Sequence, residues 1–188
     1  MVSVLPQADG PALSLGRVHE IAGSARRSFA IWVAAQLSGP VFWIAPSWGI
    51  EMLNPDGVQA WIDPARLVFI SPTRAEDLLW SMEEVLRAGA VTCAVVDLPA
   101  LPSLTQVRRM HLAAENGGAD GAHLPLGLLL TPGQGGASGV ETRWNLTPQH
   151  HAGKDRWQLE CLRARTSPPQ NWTVQRNSLS LTAQREPA

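Results

Sequence analysis

The chain has no tyrosine, only two cysteines and only 16% charged residues, and each shortage removes a class of protein. Cys93 and Cys161 lie inside apolar runs with no partners at metal-ligand spacing, so they read as a reduced pair of small buried hydrophobes. No apolar run approaches the roughly 18 residues that a membrane span requires, and the N-terminus lacks a basic segment followed by an apolar one. The expectation is a soluble, cytoplasmic protein without a membrane partner. Fifteen basic and sixteen acidic side chains leave a net charge of −1, which advertises neither nucleic acid nor an anionic surface. DNA contact is therefore expected to be weak or indirect.

What is present points to one globular domain. A chain of 188 residues, 45% apolar, supports a single core and falls short of two comfortable ones. The domain is expected over 13–176, between loosely held tails at 1–12 and 177–188 that are rich in Pro, Ser, Gln and Ala. Eight tryptophans are more than a domain of this size easily encloses, so some indoles are expected at an interface. Trp48, Trp61 and Trp172 are the candidates, each weighed against an ordinary place in the core.

Along the chain, apolar runs alternate with helical periodicity. Gly16–Ala22 reads as a strand that enters a small-residue turn at Gly23-Ser24-Ala25, followed by a helix over Arg26–Leu37 with Phe29, Ile31, Trp32 and Val33 on its apolar face. Val41–Ala45, Arg66–Ile70, Val91–Val96 and Leu126–Leu130 are nearly continuous apolar runs, as in strands covered on both faces of a parallel sheet. A short helix is expected between Pro46 and Trp61, and longer ones over 74–88 and 104–115. Thr73 with Glu76 has the spacing of a capping box for the first of these. Asn116-Gly117-Gly118 reads as a turn, and Pro132–Gly139 as a flexible loop by composition. Beyond it, 141–146, 156–163 and 172–175 read as antiparallel strands. The fold class is α/β, a mostly parallel central sheet flanked by helices with antiparallel strands added at the C-terminal end.

The order of these elements and the residues at their joints resemble the RecA recombinase core over about Gly16–Gln175. The stretches GRVHEIAG, ARLVFISP, RAGAVTCAVVDLPAL and LECLRARTSPPQNWTVQ carry the likeness. A working nucleotide loop has the form G-x-x-x-x-G-K-[ST], in which the lysine neutralises phosphate charge and the hydroxyl holds Mg²⁺. The matching residues are Gly23, Ser28, Phe29 and Ala30, so the first glycine remains while the second glycine, the lysine and the hydroxyl are gone. Phosphoryl transfer is catalysed mostly by positioned charge, so these losses predict no hydrolysis and no nucleotide cofactor. Asp97 matches the Walker B acid, and without a metal to share it is expected to cap a turn or pair with an arginine. Ala45-Pro46-Ser47-Trp48 supplies no carboxylate to position water; Glu51 is a conceivable substitute whose plainer role is a solvated charge.

The two segments in the place of RecA's DNA-binding loops contain no Lys or Arg, which phosphate binding would need. Arg26, Arg27, Arg108 and Arg109 could form a basic patch, the alternative being two solvated helix faces. His150 and His151 are adjacent and diverge, which makes a poor metal pair, and no nucleophilic triad is evident.

Two families share a RecA-like core without its nucleotide loop, ImuA of bacterial mutagenesis cassettes and the SulA division inhibitors. DLLWSMEEVLRAGAVTCAVVDL, LTQVRRMHLAAENGG, ETRWNLTP and RWQLECLRARTSPPQNW resemble ImuA more closely. That resemblance implies a non-catalytic accessory factor in SOS-induced translesion synthesis that binds an ImuB-like polymerase homologue. RecA, an error-prone replicative polymerase and a second copy of the chain are further candidate partners. The alternatives are a SulA-like protein binding a tubulin-like division protein, and a weak ATPase using Arg26 or Arg27 with Asp97.

Overall fold

Three of the four continuous apolar runs become strands covered on both faces, while the fourth, over 66–70, lies at the edge of the sheet with Val68 and Phe69 exposed, because no further strand or helix covers it among the described residues. The computed structural model describes residues 1–3, 12–49, 53–151, 153–165, 167–177 and 180–186. Its strands are β1 (Val2–Ser3), β2 (Ala12–Leu13), β3 (Val18–Ala22), β4 (Val41–Ile44), β5 (Leu67–Ile70), β6 (Cys93–Asp97), β7 (Leu126–Leu130), β8 (Thr142–Pro148), β9 (Arg156–Ala164), β10 (Gln170–Asn177) and β11 (Ser180–Arg185). Its helices are α1 (Arg26–Ala35), α2 (Pro55–Gln59), α3 (Ala75–Ala88) and α4 (Leu104–Asp120). β1 and β2 pair with each other, and the rest form a nine-stranded sheet in the order β11-β10-β9-β8-β3-β7-β6-β4-β5. From β8 to β5 every neighbouring pair is parallel, and β9, β10 and β11 add as successive antiparallel hairpins. The molecule is thus α/β, with a mostly parallel mixed sheet, flanking helices and antiparallel strands at the C-terminal end.

Alternation along the strands divides the core in two. Val95, Leu128 and Ile21 face α1, where Phe29, Trp32, Trp43, Trp144 and Trp157 fill the space. Ala94, Val96, Leu129 and Val18 face α3 and α4, which contribute Leu78, Met82, Leu86, Val107 and Met110. Each fully buried large side chain contributes about 1.5–3 kcal/mol. The indoles contact one another at their edges and tilted faces: Trp32 meets Trp157 with centroids 5.0 Å apart and Trp144 meets Trp172 at 5.7 Å. This aromatic layer is how the domain encloses five tryptophans, Trp32, Trp43, Trp144, Trp157 and Trp172.

Several expectations are corrected. The C-terminal segment expected as a loose tail holds β11, paired with β10 along six residue pairs and burying Leu181. At the other end Val2 and Leu13 are buried through the β1–β2 pairing. The 141–146 run is antiparallel on one side only: it pairs with β9 in that sense, but the chain crosses back after β7 without a helix, Glu141 N–H donates to Val18 O (3.0 Å), and β8 runs parallel to β3. Asn116-Gly117-Gly118 is not a turn but the last part of α4. Its glycines serve packing, because a Cβ on Gly117 would lie 2.1 Å from Leu86 O and one on Gly118 2.1 Å from Leu124 Cδ1. The capping box expected at Thr73 does not form, and α3 begins after Arg74 without a side-chain cap, relying on Glu76 and Asp77 in its first turn. A capping box does form at α4, between Ser103 and Gln106.

Candidate functional site

The carboxyl edge of the parallel strands is where open α/β sheets gather ligands. There β3 delivers the chain into Gly23, whose φ of +89° lies in the region open to glycine. A Cβ at Gly23 would stand 2.4 Å from Leu146 O and 2.5 Å from Asn145 Oδ1. The neighbouring Ala25 N–H donates to that same Leu146 O (3.0 Å), and Gly23 N–H donates to Gly133 O (3.2 Å). The glycine is therefore required by close approach to β8, whatever the loop binds. Asn145 is itself buried, and among the described residues no donor reaches its Oδ1.

Past this turn the side chains at the lysine and hydroxyl positions point inward. Phe29 and Ala30 are fully buried, and the Phe29 ring packs on Trp144 with centroids 6.0 Å apart. Ser28, between them and the turn, is half-buried. Arg26 and Arg27, in the first turn of α1, reach Asp97 at the end of β6. Arg27 Nε donates to Asp97 Oδ2 at 2.6 Å, and Arg26 Nη2 lies 3.5 Å from Asp97 Oδ1. The Asp97 side chain is 7% exposed, against 23% and 27% for the two arginines. These groups, with Ala45, Pro46 and Pro132, line a cleft of about 320 Å³. A second cavity of about 260 Å³ adjoins it, apolar and lined by Trp43, Leu53 and Phe69. The carboxylate is thus engaged by two guanidiniums, one through a hydrogen bond and one through an ion pair. Among the described residues no three His, Cys, Asp or Glu side chains group to hold a metal.

The remaining candidates disperse. Arg108 and Arg109 lie on α4, on the opposite face of the sheet from α1, and Arg109 Nη2 bridges to Glu83 at 2.8 Å. Arg26 and Arg27 thus serve Asp97, and Arg109 serves Glu83. Trp48 is 48% exposed. Trp61 is half-buried, 5.8 Å from Trp32, with the Arg176 guanidinium 4.7 Å above its ring. Trp172, offered as an interface candidate, is instead core, 5% exposed, because its ring lies on the sheet face that packs against Trp144. Trp80, at 58%, is the most exposed indole and was signalled by its place on α3 opposite Leu78 and Met82. Glu51 lies outside the described residues. His150 packs edge-on against Trp157 and accepts from Arg156 N–H.

Sequence reasoning missed the groups that hold the Gly-rich loop. Glu20, fully buried in β3, accepts from Thr131 Oγ1 (2.8 Å), Gly136 N–H (2.8 Å) and Ala137 N–H (3.0 Å) and pairs with Arg143 Nε (2.5 Å). Arg143 Nη2 also donates to Ala137 O, so one charged pair grips both backbone polar groups of Ala137. A composition that reads as flexible is pinned by partners distant in sequence, and the signal was an acid amid the apolar residues of VHEIA. At the loop's far end His111 Nε2 bonds Gly139 O (3.1 Å) while its Nδ1 accepts from Val18 N–H (3.3 Å). His19 bonds Ser14 O and Thr142 Oγ1, and burial lowers its pKa to about 4. Burial also pushes the Cys93 and Cys161 thiols up, to about 12 and about 11, so neither supplies thiolate at neutral pH. Among the described residues no helix is long and apolar enough to cross a membrane. No protein-family model matches the chain, and no curated protein matches it.

Proposed function

We propose that the chain is a RecA-like accessory protein of translesion DNA synthesis, of the ImuA type, that acts in the cytoplasm by binding partners and not by hydrolysing ATP. One observation carries the non-catalytic part: Phe29 and Ala30 are buried in the core, and Arg26 and Arg27 are engaged by Asp97. In a nucleotide-binding loop a cation waits for phosphate and the acid waits for a metal. Here they pair with each other and tie α1 to β6. The arrangement also disfavours the weak-ATPase reading, since Arg26 and Arg27 would have to abandon a buried carboxylate to reach a phosphate.

The ImuA part rests on the resemblance, supported by the parallel order of β3 to β8 and the antiparallel hairpins after it. For partner contact the favoured surface is the β5 edge. Among the described residues no strand pairs with its outer side, and Val68 and Phe69 are 40% and 50% exposed. An unguarded apolar edge strand is a template for a partner's strand. The opposite edge, β11, carries Thr182, Gln184 and Arg185.

Tagged protein recovered from DNA-damaged cells tests the reading. Co-purification of an ImuB-like polymerase homologue, lost in Phe69→Asp, is the expected result. Recovery of a tubulin-like division protein in its place would overturn it in favour of the SulA-like role.

A further inference from the structure

We propose that His111 is an acid-sensitive latch: a proton gained at Nδ1 opens the seam where α4 meets the start of β3 and the end of the Gly-rich loop, while Glu20 keeps the middle of that loop in place. The imidazole uses both nitrogens in its neutral form. Nε2–H donates to Gly139 O, which leaves Nδ1 as the lone-pair acceptor for Val18 N–H. A second proton turns that acceptor into a donor aimed at another donor. Val18 is fully buried and His111 is 8% exposed, so protonation strands a buried N–H and places an unhydrated cation behind it.

The surroundings do not rescue the cation where it sits. Arg17 on the approach to β3 and Arg165 beyond β9 face it with positive charge, Glu141 before β8 and Glu115 on α4 with negative charge, and neutral His19 lies behind. The four ions already form a network: Arg17 bridges Glu115 and Glu141 (3.8 Å to the latter), and Arg165 lies 3.5 Å from Glu141. Burial is the largest influence and holds the His111 pKa below its ordinary value. The relief open to an imidazolium is to swing outward towards Glu141 and water, which parts the seam. The middle of the loop is held independently, since Gly136 and Ala137 N–H both donate to Glu20.

The test is amide hydrogen exchange with parallel NMR titration of the His111 ring in the intact chain. After correction for intrinsic pH dependence, exchange at Val18 is expected to rise at least tenfold with a midpoint coinciding with that of His111, while Ala137 stays protected. His111→Gln, which cannot titrate, should give a flat Val18 profile. The proposal is overturned if wild-type Val18 exchange ignores the His111 titration, if Val18 and Ala137 lose protection together, or if the rise persists in His111→Gln. The first two outcomes are read on the wild-type protein alone, so they stand even where the variant folds poorly.

Discussion

Replacing Asp97 by Asn separates a structural acid from one reserved for chemistry. The substitution keeps shape and one acceptor oxygen but removes the charge that draws in Arg27 at 2.6 Å and Arg26 at 3.5 Å. Two unit charges about 4 Å apart in a medium of effective dielectric 20 interact by about 4 kcal/mol, and removing one partner from a buried pair typically costs about 3–5 kcal/mol. The arginines are about a quarter exposed (23% and 27%) and can recover water, which reduces the loss. A destabilisation of about 2–3 kcal/mol is the working figure, a large share of the roughly 5–15 kcal/mol that holds a domain together. Urea denaturation of Asp97→Asn, Arg27→Gln and the double variant measures it. Each single variant should lower the midpoint, and the double variant should fall short of their sum because both remove the same contact. An acid held ready for a metal behaves in the opposite way, since relieving such a site usually leaves stability unchanged or raises it. Asp97→Asn at wild-type stability or above would refute the assignment.

Three further outcomes follow from the geometry. Gly23→Ala should destabilise by roughly 3 kcal/mol or more, combining a positive φ with a methyl 2.4 Å from Leu146 O; a smaller effect in thermal melts would mean that β3 and β8 separate easily there. His19 carries a pH signature. Its folded pKa of about 4 lies below the ordinary 6.5, so the unfolded chain binds the proton first. Stability is therefore full above about pH 6.5, falls as pH drops towards 4, and loses about 3 kcal/mol from this group in all. His19→Gln should flatten that portion of the curve, and an unchanged slope would assign the acid sensitivity elsewhere. Glu20→Gln should leave the strand order intact but expose 132–139 to limited proteolysis, because the charged grip on Ala137 is lost; equal resistance to cleavage would show that backbone contacts suffice.

Local pattern foretold the elements whose causes are local. Continuous apolar runs such as VFWI and CAVVD became strands covered on both faces, although LVFI, with the same local signal, lies exposed at the edge, and the 3.6-residue spacing of Leu78, Met82 and Leu86 fixed the inner side of α3. Features set by distant partners were not legible. Whether Pro132–Gly139 is loose or held depends on Glu20 and Arg143, over a hundred residues before it and four after it. Gly117 looked like a turn because its real reason, the approach of Leu86 O, lies on another helix. The β11 strand has little apolar signal, since only Leu181 and Ala183 meet the core. At the site, the missing lysine and hydroxyl were plain in the sequence. That Arg26 and Arg27 would close on Asp97 required the fold, which brings α1 and the end of β6 together across 70 residues of chain.

Arg26 and Arg27 are both engaged by Asp97 in the cleft, and thermal denaturation with and without millimolar MgATP tests most directly whether that leaves room for a nucleotide. A nucleotide present at 100 times its dissociation constant would stabilise the fold by about 2.7 kcal/mol, an unmistakable rise in Tm. We predict no rise beyond that produced by MgCl₂ and inorganic phosphate at matched ionic strength. A nucleotide-specific rise that disappears in Asp97→Asn would contradict the account.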